Sequence, residues 1–262
     1  MLDSLFIAAT GMHAEQAQID TVANNLVNMN TMGFKKSRVA FESLMPEPTT
    51  PLHAAAPGFN AGEAISYQGM GVSGTQSLID FAAGTLRQTQ TELDFAIQGE
   101  GLFEVQLPDG TLAYTRNGAF HIDNDGYLVN ADGYQLSAQI QVPSDYEKLD
   151  VTPDGRVRIK LQGSEQLNDI GTLQLSHFAN ASGLKPIGNN LYSAADGAGA
   201  VVYSHPGENG AGTVAQGYLE TSNVQMIEEL TNMMTAQRAY EANSRVLQAS
   251  DEILGIINNL RK

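Results

Sequence analysis

Two long runs of apolar residues at seven-residue spacing sit at opposite ends of this chain, and they constrain its fold more than any other feature. Near the start, Leu5, Met12, Ile19 and Leu26 recur at sevens, with Ala8, Glu15, Val22 and Met29 as a companion row. That spacing predicts one helix over about residues 4–31 with a largely apolar stripe, interrupted at Glu15. Near the end, Met226, Met233, Tyr240, Leu247 and Leu254 recur at sevens, with Leu230 beside them and Val246, Ile253 and Leu260 as an adjacent row. Ser222 and Gln225 have capping-box spacing, Glu228 and Glu229 sit in the early turns, and Glu241 precedes Arg245 by four. These charges suit a helix running to the last residues. A single narrow stripe on each helix buries too little to order some sixty residues, so the two ends need cover from further copies of themselves.

Between the ends the pattern changes. Residues 46–64, PEPTTPLHAAAPGFNAGEA, hold four prolines (Pro46, Pro48, Pro51 and Pro57) and two glycines with almost no periodicity, and read as an extended segment. From about 92 to 220, short alternating runs are punctuated by PDG at 108–110, NG at 117–118, NDG at 124–126, ADG at 131–133 and PDG at 153–155. These are hairpin and tight-turn signals. The expectation is a mixed α and β chain: terminal helices over 1–33 and 223–262 forming an assembly coiled coil, a connecting segment over 34–65, and a β-rich domain over 66–222. Gly33 is placed for a left-handed helix stop, with Phe34 packing back on the last turn.

Composition excludes several chemistries. With 14 Lys+Arg against 29 Asp+Glu the net charge is -15, which argues against nucleic-acid partners. The basic run Lys35, Lys36 and Arg38 reads as a solvated face. Zero cysteines remove disulfides, thiolate nucleophiles and cysteine zinc sites. No stretch approaches a membrane span, so no direct lipid insertion is expected, and MLDSLFIAATGM lacks the basic region of a cleaved leader.

The remaining motifs favour structure over chemistry. GMGVSG at 69–74 matches G-x-G-x-x-G, with Asp94 twenty residues beyond, but no βαβ unit surrounds it. Placing Gly126 at the sixth position of a calcium loop puts His121 first and Asp132 twelfth, the wrong residues, so Asp123 and Asp125 read as a turn. Histidines 13, 53, 121, 177 and 205 are scattered, and His177 reads as a satisfied strand residue. Glu92, Asp94 and Glu104 cluster in sequence without a spacing that fixes an acid–base pair. Met226, Met233, Met234 and Tyr240 suit helix packing better than a ligand groove. Asn24, Asn25, Asn28 and Asn30 suit hydrogen bonding between helices. No cofactor, metal or catalytic residue is expected. A secreted β-rich binding module and a carbohydrate-cleaving enzyme are the rival readings of another class.

ANNLVNMNTMGFKKSR resembles the N-terminal signature of bacterial flagellar rod and hook axial proteins. LDFAIQGEGLFEV, AYTRNGAFHIDNDGYLVNADGY and YLETSNVQMIEELTNMMTAQRAYEANSRVLQASDEIL resemble successive blocks of that family's distal rod branch. The resemblance implies a structural subunit of the drive shaft, with proximal rod and hook-type subunits as the nearest alternatives. It implies terminal helices paired in an inner layer around an export channel, a β-rich outer layer, and a bracing role for 46–64. It further implies as partners copies of the same chain, proximal rod proteins, hook protein, outer ring (bushing) proteins and the type III export apparatus. Export without a cleaved signal peptide and residence in the basal body across the periplasm follow from the same resemblance.

Overall fold

The structure is a computed structural model that describes residues 2–44, 47–49, 66–68, 70–164 and 166–260. Two helices flank a β-rich middle, as the periodicities predict: α1 spans Leu2–Val27 and α2 spans Met226–Leu260. The chain divides into two compact units, one comprising 1–24, 37–78 and 226–262, the other 25–36 and 79–225.

The first unit holds both helices and an antiparallel ribbon. The strand Ser37–Ser43 pairs with Val72–Ile79, and Glu47–Thr49 pairs with Ser66–Gln68 in register Pro48 with Tyr67. The Val72 amide donates to Thr10 Oγ1 at 3.4 Å, tying the ribbon to α1. The helices approach at Gly11, where an added Cβ would lie 2.9 Å from Asn243 Nδ2, so any larger residue there would displace Asn243. Among the described residues of α1, Ala8, Ala14, Val22 and Asn25 are buried. GMGVSG runs into the strand Val72–Ile79 where a nucleotide fingerprint would open a helix.

The second unit is built of antiparallel sheet. Seven strands lie in the order Lys185–Gly188, Leu191–Ser193, Leu112–Thr115, Phe103–Gln106, Gln135–Leu136, Leu128–Asn130 and Phe120–Ile122. A three-stranded sheet of Tyr146–Val151, Arg156–Leu161 and Leu167–Thr172 shares its core, in which Phe103, Val105, Leu149, Val157 and Leu175 are fully buried. Three ribbons complete the unit: Phe95–Gln98 with Thr213–Gln216, Leu175–Phe178 with Val201–Ser204, and Leu86–Gln88 with Tyr218–Glu220. The DG signals mark turns for a local reason. Asp109 Oδ1 accepts the Thr111 amide, Asp123 Oδ1 accepts the amides of Asp125 and Tyr127, and Asn130 Oδ1 accepts those of Asp132 and Tyr134. Each carboxylate or amide oxygen thus replaces ladder partners that the reversing backbone has lost.

Three local expectations are corrected. Helix α1 ends at Val27, short of residue 31, because the Asn-rich stretch takes three-residue turns: Asn28 donates to the Asn25 carbonyl at 3.1 Å and Thr31 to that of Asn28 at 3.0 Å. Asn side chains offer such alternatives and have low helix propensity. Gly33 does adopt the left-handed region, φ +70°, but it lies beyond the helix and its amide donates to the Glu220 carbonyl at 2.8 Å. Ser222 Oγ accepts the amide of Val224, two residues on, so no capping box forms.

Candidate functional site

The helix stripes distribute burial in an order that the heptad pattern alone does not indicate. On α2 the most buried row is Glu229, Ala236, Asn243 and Ser250, again at sevens, with the first two nearly inaccessible. Of the predicted positions, Met233, Leu247 and Leu254 are half-buried, whereas Met226, Leu230 and Tyr240 are exposed. On α1, Val22 is buried and Leu5, Met12, Ile19 and Leu26 are half-buried. Small and polar residues therefore take the most enclosed positions on α2, while its large apolar residues are at best half-buried and many face outward. Ile227 is 82% exposed, and Met234, Val246, Ile253, Ile256 and Ile257 are also exposed. Exposed apolar area of this extent on one helix marks a surface that normally has a partner. Ile227 and Met234 each follow a residue of the predicted row, Met226 and Met233, by one position, so the sevens through Met226 do not mark them. Glu15, the interruption in the α1 stripe, is half-buried, and burial raises its carboxyl above the ordinary range.

Lys35 corrects the sequence reading most sharply. It lies at 2% exposure, among the largest fully buried side chains, and not on a solvated face. Its Nζ donates to Glu220 Oε1 and to the Ala82 carbonyl, each at 2.7 Å. Glu220 Oε1 also accepts the Gly84 amide at 2.6 Å, and Oε2 accepts Arg116 Nε. Arg116 makes three further bonds, to the backbone carbonyls of Ile97 (2.8 Å), Gly99 (2.5 Å) and Gly101. Two cations share one carboxylate, and four carbonyl dipoles take up the remaining positive character. Burial by itself would raise the Glu220 carboxyl, but the charges of Arg116 and Lys35 outweigh it and hold it below the ordinary range. Burial lowers Lys35, and Glu220 only partly offsets it. The cluster was illegible in sequence because Lys35 and Glu220 are 185 residues apart.

Gly33 and Phe34, predicted as a helix stop, are both buried in this second unit. A Cβ on Gly33 would lie 2.5 Å from the Asn117 amide nitrogen, so this position demands glycine for space as well as for φ. Pro48 lies in the paired strand Glu47–Thr49, while Pro46, Pro51 and Pro57 lie outside the described residues.

The other polar candidates have structural partners. Glu104 is buried and accepts Ser176 Oγ at 3.4 Å; Glu92 Oε2 accepts the Leu149 amide at 3.4 Å; Asp94 is buried and its carbonyl accepts the Gly217 amide. His177 lies in the strand Leu175–Phe178, but its Nδ1 is buried without a hydrogen-bond partner, contrary to the satisfied residue expected. Among the described residues no group of three or more His, Asp or Glu is arranged to hold a metal ion, and no helix is long and apolar enough to cross a membrane.

Comparisons with known proteins place these features in one class. The flagella basal body rod protein model matches residues 5–35, the flagellar hook protein FlgE/F/G D1 domain model matches 96–159, and the flagellar basal body rod FlgEFG C-terminal model matches 215–260. The chain is 40% identical to the flagellar basal-body rod protein FlgG of Borreliella burgdorferi and 39% identical to that of Bacillus subtilis, in each case over the whole of both chains. It is 28% identical, also over both full lengths, to the flagellar hook-basal body complex protein FlhP of Bacillus subtilis. The chain belongs to the flagellar basal-body rod and hook protein family. Within that family it is a structural subunit of the flagellar basal-body rod, and its place is the basal body. As a rod component it assembles with copies of itself and with other basal-body and hook proteins.

Proposed function

We propose that this chain is a distal rod subunit that polymerises helically into the drive shaft carrying torque from the motor to the hook. The supporting observation is the inverted burial on α2, with small and polar residues enclosed and Ile227, Met234, Val246 and Ile253 exposed. Repeated contacts that do not close on themselves build an open filament, and apolar helix faces supply them. In this reading the helical arms within 1–33 and 223–262 form the inner, coiled-coil layer around the export channel. The interface residues are Leu5, Met12, Ile19, Val22, Leu26, Met226, Leu230, Met233, Tyr240, Leu247 and Leu254. Residues 66–222 supply the outer layer and 34–65 brace neighbouring copies. Proximal rod proteins, hook protein, outer ring proteins and the type III export apparatus are its partners, and it crosses the periplasm without acting as an enzyme. Electron microscopy of the purified native assembly tests this: subunits stacked helically around a channel are expected, and a closed ring or dispersed monomers would refute it.

A further inference from the structure

The Lys35–Glu220–Arg116 cluster lies where two distant pieces of chain meet. Residues 33–36 follow the turns after α1, and residues 220–223 end three positions before α2 begins. Around the cluster these segments are cross-tied. Gly33 donates to the Glu220 carbonyl at 2.8 Å, Lys36 N–H to Asn223 Oδ1 at 2.8 Å, and Asn223 Nδ2 to the carbonyls of Asp80 (2.9 Å) and Ala82 (3.2 Å). The Asp80 amide returns to the Lys36 carbonyl at 2.9 Å, and Thr221 N–H to that of Thr85 at 2.9 Å. Both helix roots are thereby fixed to one short stretch, 80–85, and at the centre a single carboxylate holds a lysine from one root and an arginine just past the end of the strand Leu112–Thr115.

We infer that Lys35, Glu220 and Arg116 are positioning residues for assembly: they form a clamp that holds the two helix roots together in the spacing the polymer requires. The inference rests on the assembly reading above and adds the residues that set the geometry of the arms. A desolvated ionic cluster suits this task. Its geometry is fixed by directed donors and acceptors, and losing the shared charge leaves two buried cations facing one another, so intermediate arrangements are strongly disfavoured. An apolar plug of equal volume would fill the space without fixing the register of the two roots.

The test uses the purified full-length chain and Glu220→Gln, which keeps the shape and removes the charge. In the monomer, amide exchange at 33–36 and 220–223 is expected to rise about tenfold or more, while the strands Tyr146–Val151 and Arg156–Leu161 keep their protection. The concentration needed for polymerisation is expected to rise by about the same factor. Rescue then separates positioning from plain stability. Thr85 Oγ1 and Thr221 Oγ1 lie 2.8 Å apart, and the chain has no cysteine, so Thr85→Cys with Thr221→Cys gives one disulfide that re-ties the second root without any charge. Oxidised, that pair is expected to restore polymerisation to Glu220→Gln; reduced, it is not. Unchanged exchange, unchanged polymerisation, or failure of the oxidised pair to rescue would each overturn the clamp. If Glu220→Gln does not fold, Lys35→Met, which keeps the Arg116–Glu220 pair, takes its place: exchange is expected to rise at 33–36 and the concentration needed for polymerisation with it, and no change in either would overturn the clamp. A parent chain that does not polymerise would refute the assembly reading, and the exchange measurement on the monomer would still decide whether the clamp holds the roots.

Discussion

Arg116 spends its guanidinium on one carboxylate and three backbone carbonyls, at 4% exposure. Replacing it with Met leaves Lys35 as the one cation on Glu220 and takes the guanidinium donors from three carbonyls, and is expected to destabilise the chain by about 3–5 kcal/mol, read as a lower urea midpoint. The acid dependence has a definite sign. Because the Glu220 carboxyl is held below its ordinary value, the stability it contributes is fully present above about pH 4.5 and is lost as pH falls through its lowered folded value. Urea melts of parent and Glu220→Gln between pH 3 and 7 are expected to show a shallower acid slope in the variant; parallel slopes would contradict the assignment. Lys35 runs the other way at high pH: its lowered value means that stability rises as pH climbs from its folded value toward 10.5. On the helix surface, Ile227→Asp changes a residue already exposed in the single chain. Its melting temperature is expected to match the parent while polymerisation is blocked, since a carboxylate at each repeated contact costs roughly several kcal/mol. Asp145→Asn, also exposed, is expected to change neither.

At the scale of elements, the segment 46–64 sets the clearest expectation. Each proline fixes φ and lowers the entropy lost when the segment docks. Deleting 46–64, or replacing it with Gly/Ser of equal length, is expected to leave the helical and β-rich circular dichroism signals intact and still allow polymer, but to make the filament curved or flexible where the parent is straight. Equal straightness in all three would remove the bracing role. Helix α1 shows how far element boundaries follow local pattern. The apolar sevens continue to Met29, yet the helix stops at Val27 because Asn25 and Asn28 supply turn hydrogen bonds. The turns at 108–110, 124–126 and 131–133, by contrast, follow directly from Asp109, Asp123 and Asn130, whose side chains bond within four residues.

For the molecule as a whole, the second unit includes residues 25–36, so a fragment cut at 66–222 lacks Lys35 and Gly33. Fragment 25–225 is expected to melt cooperatively by circular dichroism without polymerising, and fragment 66–222 to melt lower, because Glu220 loses one of its two cations and the Gly33 amide. Equal melting of the two fragments would mean that the N-terminal root contributes nothing to the β-rich unit. What the sequence determined by itself was the short-range part: two terminal helices from apolar sevens, hairpins from Asx-Gly turns, and a surplus of exposed helix surface from stripes too narrow for one chain. These depend on residues within about one or two turns of each other, and such interactions are written in local order. Only the tertiary structure decided which helix row is enclosed, since Ala236 and Ile227 both lie on a strongly helical segment and burial depends on what packs against each. It alone made Lys35 a core residue, because its carboxylate partner arrives 185 positions later and no local pattern records a contact closed by the fold itself.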